Sequence, residues 1–331
     1  MMKLTRKRAK ELYEVLEEER ERIREKNKEG KNQYPCQEWE RQRKEIVERL
    51  RKLPELVKEA ASQLEIKRPS RGRDPKLSPA QKTMLFLFAR LSQKSNRDME
   101  AMIALLGPVF DVEVSYKSIE RLYSDDEVEL VLHNLFVLLV KEKDVSGKLS
   151  GDGTGYSLSV KKHYSSGVKK EGKGYCYAFN LLDLETGMYV AYGYSHQSEM
   201  DAFRKAKKYI EKLGISIESV SLDKYYSSKK VLKLFGRETE VFVIPKENLK
   251  NIGYEWHDVL NRFLKDPVGF LKRYFRRNLS ESGFSADKRR FGQLVRQKRE
   301  DRRETALFSI AILHNVFATK VNPRKFWEMK N

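Results

Sequence analysis

The sequence predicts a mixed α/β fold, a mixed sheet of about five strands flanked by helices, preceded by an all-helical N-terminal region. Three observations carry this. Residues 1–145 place apolar side chains at helical spacing, residues 146–244 switch to glycine-rich and β-rich stretches interleaved with helical ones, and helices occupy the rest. At 331 residues the chain is long enough for two or three domains and a sizeable core.

Residues 3–29 and 37–66 are rich in Glu, Lys and Arg. Apolar positions recur at helical spacing, Leu12, Val15 and Leu16 in the first stretch and Trp39, Ile46, Leu50, Leu53, Val57 and Leu64 in the second, which predicts two amphipathic helices. The break at 30–35 separates them, and two prolines and a glycine in 67–75 end the second in a basic linker. Arg71 and Arg73 flank Gly72 there; an extended backbone either lays both guanidinium groups in a DNA minor groove or leaves them solvated. Residues 78–91 begin with a Ser-Pro helix start, and 96–106 and 115–123 are shorter helical patterns around a Gly107-Pro108 turn. Three such helices read either as a helix-turn-helix or as plain helical packing. The segment 81–150 nets −2 and its third helix runs into Ser124-Asp125-Asp126-Glu127, which repels phosphate.

From residue 146 the expected order is three strands, helix, strand, helix, strand, helices. The strands fall at 148–159, 175–184, 188–194, 215–223 and 240–244, with a hairpin turn at Thr186-Gly187. Helices are expected at 199–213, 228–235, 254–264 and, densely apolar, 305–318.

The net charge of +19 points to an anionic partner if it is clustered. It is: 271–303 alone carries 12 basic and 4 acidic residues, too one-sided for an ordinary solvated helix face. Cys36 and Cys176 form no CxxC pair, which excludes a zinc ribbon or a disulfide framework. His163, His196 and His257 are too scattered for a zinc site. No apolar run reaches the length of a membrane span and the N-terminus lacks a signal-peptide core, so the expected location is the cytoplasm, in association with the nucleoid.

Asp152 lies among small residues in Gly151-Asp152-Gly153-Thr154-Gly155, where a ligand can approach closely, and Asp223 ends a mostly buried strand. Each alone reads as a turn or cap residue; together on one sheet, converging carboxylates suit Mg²⁺ or Mn²⁺. A third carboxylate, Glu281, stands in Tyr274-x2-Arg277-x3-Glu281-x6-Lys288. On a continuous helix these four side chains share one face within an arc of about 60°, although Gly283 inside the stretch costs about 1 kcal/mol of helix propensity.

This spacing resembles the Y-R-E-K signature of insertion-sequence DDE transposases, and the resemblance extends to Asp152-Gly153-Thr154-Gly155, Asp223-Lys224-x-Tyr226 and Val243-Ile244-Pro245-Lys246. It covers about 147–319 and implies an RNase H-like catalytic domain in which Asp152, Asp223 and Glu281 hold two Mg²⁺ ions, with Mn²⁺ as a substitute. It further implies that Tyr274, Arg277 and Lys288 grip phosphates near the cleaved end, that the partner is double-stranded DNA, both element ends and target, and that the DNA complex is a homodimer. The expected organisation is a helical region at 1–66 for end binding or assembly, a linker at 67–77, a helical domain with a candidate helix-turn-helix at 78–145, the catalytic domain at 146–320 and a tail at 321–331. Two departures stand out. The interval 224–280 leaves little room for the β-rich insertion of hairpin-forming relatives, and Tyr225 replaces the glycine common after Asp-Lys. Trp256 is an aromatic available to hold a flipped base or to pack. Glu199 and Asp201 suit a helix N-terminus, with metal binding as the other role. Lys161, Lys162, Lys169 and Lys170 either face a DNA channel or ride on a solvated hairpin. Competing functions are a non-catalytic DNA-binding or regulatory descendant of a transposase and an RNase H-like nuclease without strand transfer.

Overall fold

In a computed structural model, which describes residues 6–28, 36–65, 75–110, 113–158, 174–247 and 253–318, the N-terminal region is helical as its spacing predicts. Helices α1 (Arg6–Lys28) and α2 (Cys36–Ser62) come first. Helix α3 (Pro79–Ser92) starts with a full capping box: Ser78 accepts from the Gln81 N–H while the Gln81 side chain accepts from the Ser78 N–H. Helix α4 (Asn96–Phe110) runs through Gly107-Pro108, where a turn was expected; a proline that close to a helix end removes only one late hydrogen bond. Helices α5 (Tyr116–Leu122) and α6 (Asp126–Lys141) follow. The acidic run before α6 has a structural use, since Asp125 caps the helix through the Val128 N–H. Asp125 and Glu127 also take the Lys82 ammonium at 2.8 and 2.9 Å, tying α6 to α3.

The sheet is built from β1 (Lys148–Leu158), β2 (Tyr175–Asp183), β3 (Tyr189–Ser195), β4 (Ser219–Leu222) and β5 (Glu240–Phe242), in the order β3-β2-β1-β4-β5. The first three strands are antiparallel, and β4 and β5 run parallel to β1, as an RNase H-like fold requires. Between β3 and β4 lies α7 (Glu199–Lys212), and between β4 and β5 a single 3₁₀ turn, Lys224–Tyr226, and the short α8 (Lys229–Leu232). After α9 (Glu255–Lys265) come α10 (Pro267–Phe275) and α11 (Asn278–Phe291). A sixth strand, β6 (Leu294–Val295), pairs in parallel with the far end of β1; two residues leave no periodicity to detect in advance. Helix α12 (Glu300–Phe317) is buried continuously from Thr305 to Val316, on every side, because α2, α3, α6 and the sheet enclose it. Leu53, Val57 and Ala60 of α2 therefore share one hydrophobic cluster with the sheet.

The signature stretch is not one helix. It breaks at Arg276-Arg277, between α10 and α11, and passes through Gly283 without interruption. A Cβ at Gly283 would lie 3.0 Å from the Tyr189 hydroxyl, so glycine there permits the close approach of α11 to β3. Arg71, Arg73, Lys161, Lys162, Lys169, Lys170, His163 and the tail at 321–331 lie outside the described residues. Among the described residues no helix is long and apolar enough to cross a membrane.

Candidate active site

Two strands carry the same small pattern, a serine two positions before an aspartate: Ser150-Gly151-Asp152 in β1 and Ser221-Leu222-Asp223 at the end of β4. Side chains alternate along a strand, so each serine shares a face with its aspartate, and the parallel register sets Ser150 beside Ser221. Both serines are buried, and both donate to backbone carbonyls of the α10–α11 connection. Ser221 Oγ reaches Arg273 O at 3.1 Å and Ser150 Oγ reaches Arg277 O at 3.4 Å, while Ser280 Oγ donates to Ser150 Oγ at 2.6 Å. The connection itself is tight, with the Arg276 N–H bonded to Arg273 O and the Arg277 N–H to Tyr274 O. Three-residue hydrogen bonds replace the four-residue ones of a continuous helix, and the serines satisfy carbonyls at the break. This is the physical reason the predicted single stripe divides.

The break places Arg277 at the start of α11, over Ser150 within β1 and beside Asp223 just after β4. Its Nη1 lies 2.6 Å from Glu281 Oε1, one turn further along the helix, and 3.4 Å from Asp223 Oδ1. Asp152 belongs to the same electrostatic field. Its carboxyl is pushed up to about 7, chiefly by burial, with Glu281 and Asp223 adding to the rise and the Gly153 N–H at 2.9 Å and Arg277 opposing it. For Arg277, burial works against the charge, but Tyr274 and the three acids outweigh it and hold the guanidinium above its ordinary value. The structure thus groups Asp152, Asp223, Glu281 and Arg277. Asp223 also caps the 3₁₀ turn by accepting from the Tyr225 N–H at 3.3 Å.

The other two signature residues are placed differently. Tyr274 has its ring in the core at 1% exposure, with the Arg277 guanidinium 5.4 Å from the ring centroid, because the break turns α10 away from the face that α11 presents. Lys288 Nζ donates to Thr154 Oγ1 on β1 at 2.6 Å and sits 5.3 Å from the Tyr156 ring centroid. Burial lowers its pKa and Asp152 partly restores it.

Gly153 serves a fourth carboxylate. A Cβ there would fall 2.4 Å from the Glu199 side chain, which accepts a 2.6 Å hydrogen bond from the buried Tyr226 hydroxyl. Glu199 and Asp201 occupy the first turn of α7, which Ser198 caps, as expected. The loop after Asp223 is covered by α1, where Tyr13 receives the Lys224 ammonium at its hydroxyl and beneath its ring. Tyr225 needs no unusual backbone conformation and stacks its ring under Lys246, 5.4 Å away. Trp256 is fully buried.

Sequence reasoning missed Ser150, Ser221 and the Glu199–Tyr226 pair. The repeated Ser-x-Asp pattern would have exposed the serines; nothing local marks Glu199 as a neighbour of Gly153. Among the described residues, no three His, Cys, Asp or Glu side chains are arranged to hold a metal ion together as they stand, and the Arg277 guanidinium lies between two of the acids.

Over 319 residues, 96% of this chain and 98% of the relative, the sequence is 56% identical to an Archaeoglobus fulgidus protein described as a probable transposase for insertion sequence element ISA1214. No family model matches the chain, and no solved structure matches it.

Proposed function

The chain belongs to the family of insertion-sequence transposases, and from that premise we propose that it cleaves DNA at the ends of such an element and joins them to target DNA through Asp152, Asp223 and Glu281. The observation that supports this reading best is the single guanidinium of Arg277, paired with two acids from distant parts of the chain, with a third acid, Asp152, raised chiefly by burial and further by both. A donor set made only of carboxylate oxygens fits a hard divalent cation; Asp152, Asp223 and Glu281 would hold Mg²⁺, two ions in all, or Mn²⁺ in its place. When bound, the ions supply Lewis-acid stabilisation of charge on the attacking and leaving oxygens.

The chain's own residues position the substrate. Arg277 suits bidentate contact with a phosphate, and Lys288 supplies a point charge beside β1. Tyr274 supports Arg277 from below and contributes by orienting it. In the first step water oxygen bonds to phosphorus and gives up a proton as the P–O3′ bond breaks, and the leaving oxygen takes up a proton to become a 3′-hydroxyl. In the second that hydroxyl attacks a target phosphate and displaces its 3′ oxygen. Two ends must meet for this, which suits a homodimer on double-stranded DNA, with the helical region before β1 binding ends or assembling protomers.

A non-cleaving, DNA-binding regulator is the second reading, favoured by the neutralisation of Asp223 and Glu281 by Arg277. Incubating the purified protein with duplexes carrying the element's terminal repeats and Mg²⁺ separates the two. Cleavage at the element end is expected, falling at least about 10³-fold in Asp223→Asn, equivalent to about 4 kcal/mol of barrier. Wild-type protein inert with both Mg²⁺ and Mn²⁺, or undiminished cleavage by the variant, sinks the catalytic assignment.

A further inference from the structure

Between the α3–α4 junction and the C-terminal end of α11 lies a cleft of about 1080 Å³, and its lining carries eight basic side chains against one acid, Glu120. Four of the eight, Lys94, Arg289, Arg296 and Lys298, are exposed and make no ion pair within 4.0 Å among the described residues, although Asp98 lies in the field of Lys94 and Arg296, so most of their charge is available to a ligand. Arg299 and Arg302 are instead paired, with Asp301 and Glu120. The two walls are joined by Gln93. It holds the left-handed backbone conformation at the end of α3, φ 54°, and its side-chain amide donates to Arg290 O at the end of α11. A non-glycine residue pays for that conformation only where its contacts over-determine it, and here they fix the separation of the walls. Lys288 is part of the lining and also bonds Thr154, two residues from Asp152, so one side chain links the cleft to the strand that carries the first acid.

We infer that this cleft binds the phosphate backbone of double-stranded DNA leading to or from the scissile position, and that the helical segment 78–145 contributes through its α3–α4 junction. That segment is slightly acidic as a whole, yet Lys94 brings a cation to the one edge that faces α11. The inference rests on the reading above that the protein acts on DNA, and it assigns a path that the signature residues alone do not define.

The test is fluorescence anisotropy of the full chain with a labelled 30-bp duplex of arbitrary sequence across a series of NaCl concentrations. The cleft variant is Lys94→Gln/Arg296→Gln/Lys298→Gln. A matched control removes three exposed cations from α7 that make no ion pair among the described residues, Arg204→Gln/Lys208→Gln/Lys212→Gln. Each phosphate contact contributes about 0.9 to the slope of log affinity against log salt, so the cleft variant should lose about 2 to 3 from the slope and at least about tenfold in affinity at low salt. The control should lose neither. A charge-preserving variant, Lys94→Arg/Arg296→Lys/Lys298→Arg, should restore the wild-type slope, separating charge from folding. An unchanged slope in the cleft variant, or an equal loss in the control, overturns the inference; so does unchanged DNA binding with loss of binding to an acidic peptide. Asp223→Asn, run in parallel, should still bind the duplex and fail to cleave one carrying the terminal repeats. A variant that still cleaves defeats the catalytic reading and leaves the cleft result intact.

Discussion

Replacing Asp152 by Asn should make the protein more stable, and increasingly so as pH rises. In the fold the Asp152 carboxyl is pushed up to about 7, chiefly by burial, then by Glu281 and Asp223; in the unfolded chain it returns to the ordinary 3.8. A folded-state pKa above the unfolded value means that the folded protein binds the proton more tightly. The associated stability is fully present below about pH 4 and is lost as pH climbs through the folded value near 7. At about 1.4 kcal/mol for each tenfold change in proton affinity, the cost of ionising Asp152 reaches a ceiling of about 4 kcal/mol at pH 8. Asparagine removes that charge, and its Oδ1 can still accept the Gly153 N–H. Urea denaturation in EDTA, at pH 4, 6 and 8, is the assay. Wild type and variant should match at pH 4, and the variant should gain about 2 kcal/mol or more at pH 8. A variant no more stable than wild type at pH 8, or a gain independent of pH, refutes the argument that burial, helped by Glu281 and Asp223, makes ionised Asp152 costly in the fold.

Other consequences can be checked separately. Trp256 is fully enclosed and its indole N–H has no hydrogen-bond partner among the described residues, so Trp256→Phe should cost under about 1.5 kcal/mol and Trp256→Ala about 3–5 kcal/mol in denaturant unfolding. Cleavage should survive the Phe variant; selective loss of cleavage in a stable Phe variant would argue for base capture instead. Asp287 is buried and accepts from Tyr189 Oη at 2.8 Å while facing His314 Nδ1 at 2.8 Å, and His314 Nε2 meets Gly187 O at 3.0 Å. Asp287→Asn cannot accept from both partners with both side-chain atoms, and should lower stability by about 1–3 kcal/mol, measured by the same unfolding assay.

The charge density of 271–303 and the order of strands and helices were legible because both are local in the chain: alternation, helical spacing and turn residues are read from neighbours. On the same grounds the acids Asp152, Asp223 and Glu281 could be singled out before any coordinates. The division of the signature stretch at Arg276-Arg277 was not legible. No breaker residue marks it; the serines that receive it come from strands more than fifty residues earlier. Tyr274 moves into the core by the same cause, and Gly283, a locally suspect residue, is accommodated because α11 must pass close to Tyr189.

The sequence by itself determined the class of fold, the family and the candidate acids, since these depend on pattern and identity along the chain. Tertiary structure alone decided that Arg277 stands between Asp223 and Glu281, that burial and then its acidic neighbours raise Asp152, and that Lys94 of an otherwise acidic helical segment joins Arg289, Arg296 and Lys298 in a cleft beside α11. Electrostatic coupling depends on distance through space, and chain separation says nothing about that distance until a sheet register and a tight turn set it.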